Sequence, residues 1–162
     1  MSTRLVAVHF LQTIIKPSVA HIGLWTPAAS ELLLGTALVE SRLLHRRQLG
    51  GGPARGYFQM EPATHDDIWR NFLRYRSQLA GAVASLLSSS AADRHNELET
   101  NDRYACALAR VHYARAPAPL PRAGDVAGMA RYWKRHYNTL LGAGTESKYV
   151  QTWNSVIGAG GV

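Results

Sequence analysis

Cysteine is nearly absent from this chain of 162 residues. Cys106 stands alone, which excludes an internal disulfide and a cysteine-built metal cluster. In its apolar helical run the default role of such a thiol is that of a small buried hydrophobe. Acidic side chains are also in short supply, with 11 Asp and Glu against 18 Lys and Arg and a net charge of +7. A basic surface favours anionic partners such as nucleic acid, acidic lipid or cell-wall polymer. The basic residues are scattered and form no Lys/Arg run, which argues against nucleic acid. No apolar run is long enough to cross a bilayer, so stable membrane insertion is not expected. Met1 to Leu5 and the short apolar run that follows carry no small-residue cleavage site of a signal peptide. Synthesis in a cytoplasm is therefore the expectation.

Several chemistries are missing too. The seven histidines include His45, His65, His95, His112 and His136, which follow no close ligand spacing. No His-Glu-x-x-His occurs, so neither a metal nor a cofactor is expected. There is no Gly-x-Ser-x-Gly for a Ser-His-Asp hydrolase. The Gly50-Gly51-Gly52 run matches neither a P-loop nor a dinucleotide fingerprint. No repeat, heptad run or linker divides the chain.

What remains is a chain with 46% hydrophobic residues, long enough to bury one core. The expectation is one domain over residues 1–162, mainly α, and a monomer. Val6, Phe10, Leu11 and Ile14 mark a helix over Leu5–Ile15, capped by Ser2 or Thr3 and ended by Pro17. Thr26-Pro27 opens a helix that runs to about Leu43. Gln48 to Met60 is the one convincing place for strand, a short β-hairpin turning at Gly50–Pro53. Pro62 opens a helix with Ile68, Trp69, Phe72 and Leu73 inward. Asp66 and Asp67 fall in its first turns, where the helix dipole favours acid. Leu79–Leu87 reads as a helix, Ser88–Asn96 as its end and a loop. Thr100-Asn101-Asp102 caps a helix carrying Tyr104, Leu108, Val111 and Tyr113. Three prolines keep Ala116–Pro121 non-helical. Asp125–Tyr137 is helical, Gly142-Ala143-Gly144 breaks it, Thr145 caps the last helix, and Gly158–Val162 should fray.

The informative stretch is Leu38 to Thr64. Glu40 follows Leu32, Leu33, Leu34, Leu38 and Val39 near the end of its helix. On the residues alone it is either exposed beside a surface loop or withdrawn into apolar surroundings. In the second case its carboxyl is costly unless paired, hydrogen-bonded or protonated, the situation in which functional acids are found. Arg42, Arg46 and Arg47 follow. Arg42 reads as complementing the helix C-terminus, and Arg46 and Arg47 fit that role or the rim of an anionic cleft.

Glu40-Ser41 followed by Gly56-Tyr57-Phe58-Gln59-Met60-Glu61-Pro62-Ala63-Thr64 resembles the signature of the lytic transglycosylase and goose-type lysozyme group. That signature is Glu-Ser, a variable loop, then Gly-Leu-Met-Gln-x-x-Pro-x-Thr. Tyr57-Phe58 replaces the Leu-Met pair, and the match spans roughly a sixth of the chain. The family's later Ala-Tyr-Asn-Ala-Gly-Pro segment has a counterpart in Val111–Pro117 that agrees only at Tyr113 and Pro117. Tyr132–Thr139 is similar in wording to phage-encoded muralytic proteins.

The resemblance implies a lysozyme-like helical fold with one small hairpin after the catalytic helix. The implied activity is cleavage of the β-1,4 bond between N-acetylmuramic acid and N-acetylglucosamine in peptidoglycan. Glu40 would be the acid. Ser41 would orient or contact it, Tyr113 would donate to its carboxyl, and Gln59 would bind the glycan or its peptide. Tyr57 would line a sugar subsite. Phe58 would line one too or pack. Glu61 would be a helper or a helix cap. Goose-type lysozymes have aspartates downstream of the glutamate. Here no acidic residue lies between Glu40 and Glu61, which favours lytic transglycosylation over hydrolysis. A phage endolysin released through a holin, or a virion-carried enzyme acting on the wall from the periplasm, is the setting implied. A non-catalytic basic domain binding glycan or nucleic acid is the alternative from another class.

Overall fold

The computed structural model describes residues 1–88, 93–138 and 142–162, and these are mainly helical. Helix α1 (Thr3–Phe10) starts where the Ser2 side chain accepts the Leu5 N–H. Pro17 does not end this helix. The chain widens into a π-turn over Leu11–Ile15 and continues as α2 (Lys16–His21). Pro17 has no N–H to give to the carbonyl four residues back, and that Thr13 carbonyl instead lies 3.4 Å from Arg103 Nη2. Helix α3 (Pro27–Ser41) begins as expected, with Thr26 capping the Ala29 N–H and proline in the first turn. Its Gly35 lets the Tyr149 side chain approach so closely that a Cβ would collide with the hydroxyl.

The expected hairpin is a loop. Among the described residues the segment from Arg42 to Glu61 makes only the isolated bridges Arg47–Arg55 and Arg55–Met60. Side chains take the place of a strand ladder. Gln48 Oε1 accepts the Ala54 N–H, and the Arg55 guanidinium bonds the Gly52 and Ala54 carbonyls. Arg46 sets two nitrogens on the Asp102 carboxylate and one on the Glu99 carbonyl, while Arg47 bonds Glu99. These two arginines pin the loop to Glu99 and Asp102 rather than rim a cleft.

Helix α4 (Pro62–Asn71) opens at Pro62, followed by a single 3₁₀ turn (Leu73–Tyr75) and α5 (Ser77–Ala84). The loop expected over Ser88–Asn96 falls partly on residues 89–92, outside the described residues. Its last part is a helix instead: α6 (Arg94–Thr100) starts at Asp93, whose side chain accepts the Asn96 N–H. Asn101 caps α7 (Asp102–Ala114). Asp125 caps α8 (Val126–Trp133), which continues as a second π-turn over Lys134–Asn138. Thr145 caps α9 (Glu146–Val156). The tail beyond it is tethered by Arg4, which bonds the Ile157 and Gly161 carbonyls at 3.2 Å.

Two hydrophobic cores form, and α7 belongs to both. Ala105, Cys106, Ala109 and Tyr113 pack with α1, α3, α8 and α9. Tyr104, Ala107, Leu108 and Val111 pack with Ile68, Leu73, Val83 and Leu98 from α4, the turn after it, α5 and α6. A helix packed against two cores needs apolar residues on both of those faces, and Arg103, Arg110 and His112 occupy what is left of its circumference. Small alanines at 105, 107 and 109 let neighbours close in from both directions. Among the described residues no helix is long and apolar enough to cross a membrane.

Candidate active-site cleft

A cleft of about 870 Å³ opens where the end of α3, the Arg42–Glu61 loop, the start of α4, α7 and the end of α8 converge. Glu40 lies in its wall on the last turn of α3. The helix stops one residue later. Arg42 and Leu43 both take left-handed conformations, with φ of 55° and 57°, unfavourable for residues that carry a Cβ. Ser41 supports this turn. Its buried Oγ lies 3.0 Å from the Ala37 carbonyl and 2.8 Å from the Tyr57 carbonyl, and it accepts the Leu43 N–H. The hydroxyl is occupied in holding the loop onto α3, so Ser41 shapes the cleft rather than offering a free group to a ligand.

Glu40 Oε1 accepts the indole N–H of Trp133 at 3.0 Å. Burial pushes its carboxyl up to about 7, against the smaller opposing effects of that hydrogen bond and of the Lys148 charge. At neutral pH it is therefore poised between acid and base. The partner expected for it was Tyr113. The structure places Tyr113 fully buried, one helical turn earlier along α3, with its hydroxyl 2.7 Å from Thr36 Oγ1. Thr36 spends its own proton on the Leu32 carbonyl, so Tyr113 is the donor of that pair. Trp133 has the place over Glu40. The second π-turn then brings Tyr137 to the cleft, and its hydroxyl donates to the Phe58 carbonyl at 2.6 Å.

The other expected residues divide. Gln59, with φ of 47°, lines the cleft, and its amide donates to the Gly56 carbonyl. Glu61 also lines the cleft, exposed, and although it precedes α4 its side chain caps nothing. Tyr57 faces away. Arg46 lies over its ring at 4.0 Å, Phe10 meets it edge-on, and it borders a separate hollow beside α1. Phe58 is buried core. Gly56 is required: its φ is +75°, and a Cβ would strike the Leu98 carbonyl. Arg42 lies at the cleft rim. Asp66 and Asp67 do not line the cleft. Asp66 bonds His65 and His95, and Asp67 pairs with Arg115.

The chain finds no significant match among family models, curated proteins or solved structures.

The site is thus defined by its own geometry. Among the described lining residues the carboxyls are those of Glu40 and Glu61. Lys148 and Arg42 supply positive charge at the rim. His112, neutralised by burial and by neighbouring Arg115 with its pKa lowered to about 4, accepts an Arg115 N–H at Nδ1 and so carries its own proton on Nε2. Sequence reasoning missed Trp133, Tyr137, His112 and Lys148 as cleft residues. All four come from elements distant in sequence from Glu40, and no spacing rule links them to it.

Proposed function

We propose that this protein cleaves the glycan strand of peptidoglycan at the bond between N-acetylmuramic acid and N-acetylglucosamine, most simply by lytic transglycosylation. The observation that carries this reading is a single carboxyl, Glu40, poised near pH 7 in the wall of a large cleft. The matching Glu-Ser and Gly-x-x-Gln-x-x-Pro-x-Thr residues supply the substrate class. Protonated Glu40 gives its proton to the glycosidic oxygen as that bond breaks. The resulting carboxylate then takes the proton from the muramic acid 6-hydroxyl, whose oxygen bonds to C1 and closes a 1,6-anhydro ring. No water is consumed, and Glu40 ends protonated as it began. A phage endolysin or virion-carried lysin is the setting this activity fits.

Glu61 favours a second reading. Its exposed carboxylate lines the same cleft without capping α4, and a hydrolase needs a second carboxylate to activate water. Mass spectrometry of digested, purified peptidoglycan separates the two. Transglycosylation yields muropeptides one water lighter than lysozyme products and without a reducing end. Reducing-end products in bulk would replace it with hydrolysis assisted by Glu61. Wall binding with no released product would leave a glycan-binding domain.

A further inference from the structure

The Tyr104, Trp69, His65, Asp66 and His95 side chains form one connected polar group outside the cleft, between α4 and α6. We propose that His65, Asp66 and His95 bind a divalent transition-metal ion, with Zn²⁺ as the natural occupant. Two donors sit on neighbouring residues of α4 and the third on α6, and all three atoms lie within 4.8 Å of one another. Asp66 Oδ1 is 2.9 Å from His65 Nδ1 and 2.7 Å from His95 Nε2. Bonds of about 2.0–2.1 Å in tetrahedral geometry set ligand atoms about 3.3 Å apart. The two contacts to Asp66 therefore need to open by roughly half an ångström, and the two imidazole nitrogens, up to 4.8 Å apart, need to draw in to the same separation.

The surroundings permit that adjustment. The His65 side chain is 3% exposed and fixed, while those of Asp66 and His95 are 43% and 42% exposed and free to shift. The open side leaves room for water to complete the coordination shell. Metal-bound imidazoles usually donate their second nitrogen to a fixed acceptor. The second nitrogen of His65 has a fixed partner: in the metal-free ring Nε2 accepts the proton of the buried Tyr104 hydroxyl at 2.7 Å, the Trp69 indole N–H holds that oxygen at 2.9 Å, and ligation through Nδ1 requires the first of these bonds to reverse. Two imidazoles and one carboxylate suit zinc, cobalt or nickel better than calcium or magnesium. Arg94, stacked over Trp69, opposes a cation here, and the Asp66 charge offsets it. Without metal, each imidazole gives an N–H to Asp66. Ligation moves each of those protons to the other nitrogen of its ring, so it competes with the hydrogen bonds to Asp66.

None of the three residues lines the Glu40 cleft, so the ion would fasten α6 to α4 and take no part in glycan cleavage. The inference does not depend on the proposed activity. Isothermal titration of the full chain, stripped with EDTA and dialysed, tests it with Zn²⁺ and with Mg²⁺ as control. One Zn²⁺ should bind per chain and raise the melting temperature. His95→Gln, at a half-exposed position that leaves the core intact, should weaken binding at least tenfold, and His95→Asp should restore part of it. Absence of saturable Zn²⁺ binding at micromolar concentration would overturn the proposal. So would a His95→Gln chain, shown folded by circular dichroism, that binds Zn²⁺ as the parent does.

Discussion

Glu40 and Glu97 are carboxylates withdrawn from bulk water at opposite ends of their helices. Glu97 is 5% exposed in the first turn of α6. Burial alone would raise its pKa, but the Ser88 hydroxyl and N–H, each 2.6 Å away, and Asn101 outweigh it and hold the group below the usual range. The helix N-terminus favours the same charge. Glu40 sits in the last turn of α3, where the dipole opposes a negative charge, and has one indole N–H as its donor. Its carboxyl rises to about 7. Burial is the largest influence on Glu40 and one donor opposes it, whereas several donors outweigh burial at Glu97, so the first is a proton reservoir and the second a fixed anion.

The linkage signs differ accordingly. Between about 4.5 and 7 folded Glu40 retains a proton that the unfolded chain has lost, so this residue makes the fold less stable as pH rises through that window. Its 2.5-unit rise corresponds to roughly 3 kcal/mol. Glu97 contributes stability above the unfolded glutamate pKa and loses it as pH falls through its lowered folded value.

Glu40→Gln produces the largest effect. It should reduce lysis of purified walls by about 10²- to 10⁴-fold, the range of a lost general acid. The same variant should equal the parent in stability near pH 4 and exceed it at pH 8, read from urea melts. Lower stability at pH 8 would break the comparison with Glu97. Trp133→Phe comes next. Removing the one donor it has among the described residues lets the Glu40 pKa rise further, so the alkaline limb of the pH–activity profile should move up while kcat falls roughly tenfold. A profile that stays in place would detach Trp133 from the chemistry. Glu97→Gln is smallest: a loss of about 1 kcal/mol at pH 7 that fades towards acid pH, with lysis unchanged well below the melting point.

Local rules carried the fold a long way. Thr26-Pro27, Asn101, Asp125 and Thr145 are start signals whose physics is contained in a few neighbouring atoms, and each opens a helix as expected. Pro17 misled because its lost hydrogen bond is absorbed by a π-turn and by Arg103, 86 residues away. The hairpin misled because the glycines and Pro53 suggested a turn between two strands, whereas a few backbone bonds and side chains from Arg46, Arg47, Gln48 and Arg55 hold the loop. At the site, Glu40, Gln59 and Glu61 were legible from the motif. Trp133 was not, since nothing in an indole's sequence context marks it for a carboxyl 93 residues distant. The meeting of His65 with His95 was equally hidden, because α6 was read as loop.

Helix α7 serves both cores, and this gives the lone thiol a use. Cys106 is fully buried on the shared helix, and burial pushes its pKa far up. A thiol reagent reaches it only when α7 parts from its neighbours. With no second thiol to confuse the signal, the rate at which the native chain is trapped reads how often the molecule comes apart as a whole, without any label having to be introduced.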